Sequence, residues 1–169
     1  MLSFTTALGD CALEWDETGI TRVHMPGSRD VPRPRPREAP LAVRRAAGLI
    51  AQLLDGEPAD LTGIAISHDA RIGVHARLVY AATRALAPGQ TTTYGEIARR
   101  IDPAAGPGAA RAVGAALGAN PTPIIVPCHR VLAADGSLHG FSAPGGIATK
   151  RRMLQIEGAP GFTQQPLFA

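Results

Sequence analysis

Apolar and polar positions along this chain change their period once, near residue 70. From residue 3 to 25, short apolar-rich runs alternate with turn residues. Phe4-Thr5-Thr6-Ala7-Leu8 is followed by a Gly9-Asp10 break, then Cys11-Ala12-Leu13-Glu14-Trp15, an Asp16-Glu17-Thr18-Gly19 turn, and Ile20-Thr21-Arg22-Val23-His24. That pattern predicts a hairpin of two or three strands. Leu41 to Leu54 instead sets Leu41, Ala46, Leu49, Ile50, Leu53 and Leu54 at helical spacing and stops at Gly56, which predicts an amphipathic helix. Leu61 to Ser67 is expected to add a strand, completing a small α/β unit that ends near His68-Asp69-Ala70.

The second half reads as helical. Val74 to Leu86 carries Leu78, Val79, Ala82 and Leu86 on one face and ends before Pro88-Gly89. Thr93-Tyr94-Gly95-Glu96 has the spacing of a capping box and starts a short helix through Ile101. After the break from Asp102 to Gly108, Ala109 to Leu117 forms the next helix, so the pair has the outline of a helix-turn-helix. A last helix is expected from Gly146 to Ile156, ended by Gly158, with Lys150-Arg151-Arg152 on its solvated face. Val31 to Arg37 alternates proline with arginine, which forbids helix; it reads as an exposed connecting loop, with a phosphate-binding arm as the alternative.

Composition narrows the class. With 169 residues, 45% hydrophobic and 18% charged, the chain can bury one good core or two smaller ones. The net charge of +3 modestly favours a polyanionic partner. Cys11 and Cys128 make no disulfide framework, and with His24, His68 and His75 they lack zinc-ligand spacing, so neither metal nor cofactor is assigned. No signal-like leader or membrane-length apolar run is present, and a reducing cytoplasm is the expected home.

Candidate chemistry concentrates at Pro127-Cys128-His129-Arg130. A thiolate is the reactive form of cysteine, and basic neighbours are expected to increase its population. The preceding run, Asn120 to Val126, is apolar and braced by prolines, which suits a rigid support for one reactive atom. The helix from Ala109 to Leu117 lacks the long polar side chains that read base edges and carries one arginine, Arg111, suited to act as a wedge in a base stack.

These residues resemble a known family. Thr92 to Ala98, Arg111-Ala112-Val113-Gly114, Asn120-Pro121, Pro123 to Val131, Gly145-Gly146 with Lys150, and Glu157-Gly158 occur in the order of the O6-alkylguanine-DNA alkyltransferases. The resemblance covers residues 74 to 158. It implies an α+β fold: a small N-terminal ribonuclease-H-like α/β domain over residues 1–70, then a helical, winged-helix-like DNA-binding and active-site domain over 71–169. It also implies repair by stoichiometric, irreversible transfer of the alkyl group of O6-alkylguanine to Cys128, with O4-alkylthymine left open. The implied partner is double-stranded DNA holding that lesion, bound by a monomer.

The resemblance assigns roles residue by residue. Cys128 is the nucleophile, His129 the base acting through a water, and Glu157 the group that orients the imidazole. Arg111 fills the vacated stack, and Ala109, Ala110, Ala112, Gly114 and Ala115 let the helix press into the minor groove. Tyr94 crowds the flipped nucleotide, Pro123 walls the pocket, the carbonyls of Cys128 and Val131 accept from the guanine amine, and Asn120 is a structural hinge. Phe141-Ser142-Ala143-Pro144-Gly145-Gly146 departs from the family's tyrosine-serine-glycine-glycine by two extra residues and a lost hydroxyl, which leaves Ser142 as the expected donor to O6. A non-catalytic lesion sensor, a helix-turn-helix transcription factor and a thiol hydrolase are the competing readings. Cys128, the small residues of 109–117 and the lack of an announced oxyanion hole argue against each in turn.

Overall fold

Strands β1 (Leu2–Thr6), β2 (Gly9–Trp15) and β3 (Ile20–His24) form an antiparallel meander in the computed structural model, which describes residues 1–29, 38–67 and 72–162. The first turn falls at Ala7-Leu8 rather than at Gly9-Asp10, which belong to β2. Thr6 shifts it: its hydroxyl accepts from the Leu8 N–H and donates to the Gly9 carbonyl, closing the turn before the glycine. The second turn, from Asp16 to Gly19, stands as the sequence predicts, with Asp16 accepting from the Thr18 and Gly19 amides.

Helix α1 (Leu41–Leu54) has the predicted bounds. Its buried stripe is Val43, Ala46, Ala47, Ile50, Leu53 and Leu54, while Leu41, expected on that stripe, is 74% exposed in the first turn. The strand expected from Leu61 to Ser67 reduces to one parallel bridge, Ile66 with Ile20. Asp60 accepts from the Thr62 amide and Ile64 N–H donates to the Leu61 carbonyl, so the backbone turns where a ladder would have run. The Pro-Arg segment 31–37, His68 and the boundary near residue 70 lie outside the described residues.

The C-terminal part comprises α2 (Val74–Arg84), β4 (Thr92–Thr93), α3 (Tyr94–Ile101), α4 (Ala109–Gly118), β5 (Val131–Leu132) and α5 (Gly146–Ile156). α2 ends two residues before the predicted Leu86 and turns Leu78 partly outward, burying Val79, Tyr80 and Thr83 instead. The capping box of α3 is present in both halves, Thr93 receiving the Glu96 amide and Glu96 receiving the Thr93 amide. β4 and β5 pair in parallel, Thr92 with Val131 and Thr93 with Leu132, which ties the start of α3 to the residues just after Cys128. Strands of two residues are too short to carry a periodic signal.

Two apolar clusters meet at the approach to the cysteine. The first joins Leu13, Val23, Ile50 and Leu54 with Ile124, Ile125 and Met153; the second joins Val79, Ile97, Val113 and Leu117 with Val126 and Cys128. The run from Ile124 to Cys128 is therefore gripped from both sides. Ile124 sits at φ +75°, a left-handed conformation that costs a β-branched residue on the order of 1–3 kcal/mol. The Val126 amide donating to the Thr122 carbonyl at 2.9 Å and the two packed cores hold that turn in place.

Candidate active site

Cys128, His129 and Arg130 form a single 3-10 turn, and all three are buried. Immediately upstream, Asn120 organises the chain. Its side-chain amide donates to the Val126 carbonyl at 3.0 Å and points at Cys128 Sγ at 3.6 Å, while its oxygen accepts from the Thr122 amide at 3.0 Å. One amide thus joins the end of α4 to the turn that carries the sulfur.

Behind the turn lies a closed polar network. His129 Nε2 and Glu157 Oε1 are 2.8 Å apart, with side-chain exposures of 0% and 1%. Arg130 donates to both Glu157 oxygens at 2.9 and 2.8 Å and to the Leu86 carbonyl at 2.6 Å. The Gly89 amide donates to Glu157 Oε2 at 3.0 Å. Gly89 is at φ +75°, and a Cβ there would stand 2.7 Å from the Glu157 carbonyl oxygen, so only glycine lets this loop come so close. The guanidinium is spent on this network.

Charge states follow from these contacts. Burial would push the Glu157 carboxyl up, but the hydrogen bonds from His129 and Arg130 and the guanidinium charge outweigh it and hold it well below the usual carboxylate range. A carboxylate only accepts, so Nε2 of His129 must carry the proton and Nδ1 is the acceptor. Nδ1 is buried with no protein partner among the described residues. Burial pushes the His129 pKa down, against the pull of Glu157, so the imidazole rests neutral.

Burial also pushes the Cys128 thiol up, with Asn120 and the charge of Lys150 only partly offsetting it. The basic neighbour acts in the expected direction, but burial outweighs it. A cysteine only 9% exposed loses more solvation than those neighbours return, so the resting group is the thiol.

Lys150 is the residue that sequence reasoning misplaced. Rather than joining a solvated face, it is fully buried, with Nζ donating to the Val131 carbonyl at 2.6 Å and the His139 carbonyl at 3.3 Å. The ammonium also lies 5.8 Å from the centre of the Tyr94 ring. Its pKa falls to about 8 by burial, while the nearby sulfur pulls the other way. A signal was available: Lys150 shares a helical stripe with Met153 and Leu154, three and four residues on, both buried.

Cys128 opens into two cavities. The larger, about 720 Å³, lies against the α3–α4 side and is lined by Tyr94, Ala110, Arg111, Gly114, Ala115, Leu117, Phe141 and Ser142 among others. Tyr94 is half-buried, its hydroxyl donating to the His139 carbonyl at 3.3 Å, and Gly114 backs onto its ring. Arg111 and Ala112 are exposed on α4, and Ala109 packs partly against the second core. The smaller cavity, about 290 Å³, faces the N-terminal sheet and takes in Asn120, Pro123 and Ser142. Val131 lines neither; it is fully buried and its carbonyl already holds Lys150. Pro123 and Val131 thus do not join the other expected pocket residues on the helix side, and Ser142 belongs to both spaces.

Fold and site together define a class: a protein with a buried cysteine lining a cavity beside the α3–α4 pair. Comparison with known proteins makes the class specific. Residues 75–159 match the family described as 6-O-methylguanine DNA methyltransferase, DNA binding domain. The chain is 43% identical over 122 residues to the methylated-DNA–protein-cysteine methyltransferase of Mycobacterium tuberculosis strain H37Rv, covering 72% of this chain and 71% of that relative. With the Mycolicibacterium paratuberculosis protein of the same name, identity is 43% over 114 residues, 68% of this chain and 66% of the relative's length. The crystal structure of Mycobacterium tuberculosis OGT in complex with DNA superposes with a TM-score of 0.75 at 32% identity, over 95% of this chain and 94% of that one. The chain belongs to the methylated-DNA–protein-cysteine methyltransferase family.

Proposed function

We propose that this protein repairs DNA by accepting the alkyl group of O6-alkylguanine on Cys128, once and irreversibly. It acts as a methylated-DNA-[protein]-cysteine S-methyltransferase. The observation that carries this reading is that Cys128 lies in one cavity with Tyr94 and with Arg111, Gly114 and Ala115 of α4. The small residues let that helix lie in a minor groove, and Arg111, at the cavity rim, takes the place of the everted base.

In the reaction the S–C bond forms as the C–O6 bond breaks, and the bonding pair passes to O6. The thiol proton moves through a water to Nδ1 of His129, whose Nε2–H is held by Glu157, and guanine takes up a proton as it leaves. Because the resting sulfur is protonated, that proton leaves before or as the S–C bond forms. Asn120 and Lys150 stabilise the developing thiolate, and Ser142 donates to O6.

The three-stranded meander followed by α1, with the parallel Ile20–Ile66 bridge, supports a ribonuclease-H-like scaffold over residues 1–70. The short β4–β5 pair beside α3 and α4 supports a winged-helix-like domain over 71–169. Both cysteines are free and no helix among the described residues is long and apolar enough to cross a membrane; we read the protein as a cytoplasmic monomer.

The test is to incubate the protein with an oligonucleotide containing O6-methylguanine and weigh it. One added methyl group is expected, mapped to Cys128 and absent in Cys128→Ala. Intact DNA binding with no mass gain would favour a non-catalytic lesion sensor instead.

A further inference from the structure

His139 lines the larger cavity from the loop that follows β5, and neither the displacement nor the wedge uses its side chain. That loop folds on itself, with the Gly136 amide donating to the Ala133 carbonyl and Asp135 accepting from the Ser137 amide and hydroxyl. Gly140, at φ +42°, lets the chain turn directly after the histidine. The His139 carbonyl accepts from the Tyr94 hydroxyl and from Lys150 Nζ, both at 3.3 Å, so α3 and α5 hold its backbone from two sides. The ring itself is left free. The residue is exposed, and its imidazole makes no hydrogen bond or ion pair among the described residues. The carboxylate whose charge it senses, Asp135, is tied to Ser137.

The described lining of this cavity contains no carboxylate, and its two basic side chains, Arg111 on α4 and His139 on the loop, come from different walls. An everted nucleotide stays joined to its strand through the phosphates on its two sides. When the base occupies the cavity, those phosphates are left at the mouth, while Arg111 is turned into the vacated stack. His139 is the remaining basic side chain of the lining that meets them. Its backbone is already fixed, so the contact orders little besides the ring.

We propose that His139 binds the phosphodiester backbone of the everted nucleotide, and so favours lesion-bound over undamaged DNA. The inference rests on the alkyl-transfer reading above. An imidazole N–H donates to a phosphate oxygen, and a protonated ring adds charge to that bond. No covalent bond is made or broken at this residue. Only a nucleotide whose base has entered the cavity brings its phosphate to this rim, so the contact adds to recognition of an everted base and little to binding of intact duplex.

The experiment measures single-turnover transfer from a duplex holding O6-methylguanine, with undamaged duplex as a competitor and free O6-benzylguanine as a substrate without phosphate. His139→Ala is expected to raise the half-saturating concentration of the lesion duplex about three- to fivefold and His139→Glu about tenfold or more, whereas His139→Lys stays within about twofold of the wild type. The inhibition constant of undamaged duplex and the rate with free O6-benzylguanine should move by less than about twofold in all three. Arg99→Ala is the reference for general electrostatics: Arg99 is exposed on α3 outside this lining, and its loss should weaken both duplexes alike. Equal effects of His139→Lys and His139→Glu, or parallel losses for lesion and undamaged duplex, overturn the contact. Absence of transfer from O6-methylguanine by the wild-type protein would overturn the alkyl-transfer reading and this contact with it, whereas transfer accompanied by either of those patterns rejects the contact alone.

Discussion

Lys150 Nζ donates to the Val131 carbonyl at 2.6 Å from a position with no solvent exposure. This contact places a cation between α5 and the strand that follows Cys128, and the same ammonium holds the His139 carbonyl at the edge of the larger cavity. Lys150→Met is expected to lift the Cys128 thiol further, because the charge opposing desolvation is removed. The check is the pH midpoint of iodoacetamide labelling of Cys128, which should rise in the variant. In the wild type, labelling at pH 7 should already be slower than that of a free thiol. A midpoint that stays put would separate the ammonium from the sulfur.

Glu157 links stability to pH. Its carboxyl is held at about 2 in the folded protein against an ordinary value of 4.5, so the stabilisation is fully present above pH 4.5 and is lost as pH falls from there towards 2. Removing one partner of a buried ion pair costs about 3–5 kcal/mol. Glu157→Gln should lose a similar amount at pH 7, leaving the Arg130 charge buried without its partner, and should flatten the acid limb of stability between pH 4.5 and 2. Urea denaturation across that range measures both.

Asn120→Asp keeps the shape of the amide but puts an acceptor-only group 3.6 Å from the sulfur and opposite the Val126 carbonyl. The loss of one buried donor costs about 1–3 kcal/mol. Transfer from free O6-benzylguanine should slow at pH 7 and recover partly at higher pH, since an adjacent anion opposes the thiolate. Equal slowing at every pH would reduce the residue to a packing role.

Arg111 is exposed at the rim of the larger cavity. Arg111→Ala should slow repair of O6-methylguanine in duplex DNA by about tenfold or more, because everting a base costs a few kcal/mol and the wedge offsets part of it. Reaction with free O6-benzylguanine should change by less than about twofold. Comparable slowing of both would remove the wedge role.

Local rules carried far in this chain. The bounds of α1 and α5, the capped start of α3 and the Asp16 turn follow from spacing, caps and turn residues that act within a few positions. The nucleophile and its family context were likewise legible, because Pro127 to Arg130 is contiguous. Leu41 and Leu78 show the limit: periodicity names a helical face but not which of its positions a neighbour covers, and both are largely or partly exposed.

What the sequence by itself determined is the set of helices, the turn chemistry and the identity of the reactive cysteine, since these depend on neighbours within one or two turns. Only the tertiary structure decided that Arg130 is spent on Glu157 and that Cys128 lines two cavities rather than one. It also set burial against the basic neighbour at the thiol. Each of these depends on desolvation and on partners tens of residues away, and no local pattern along the chain encodes how much water a group will lose.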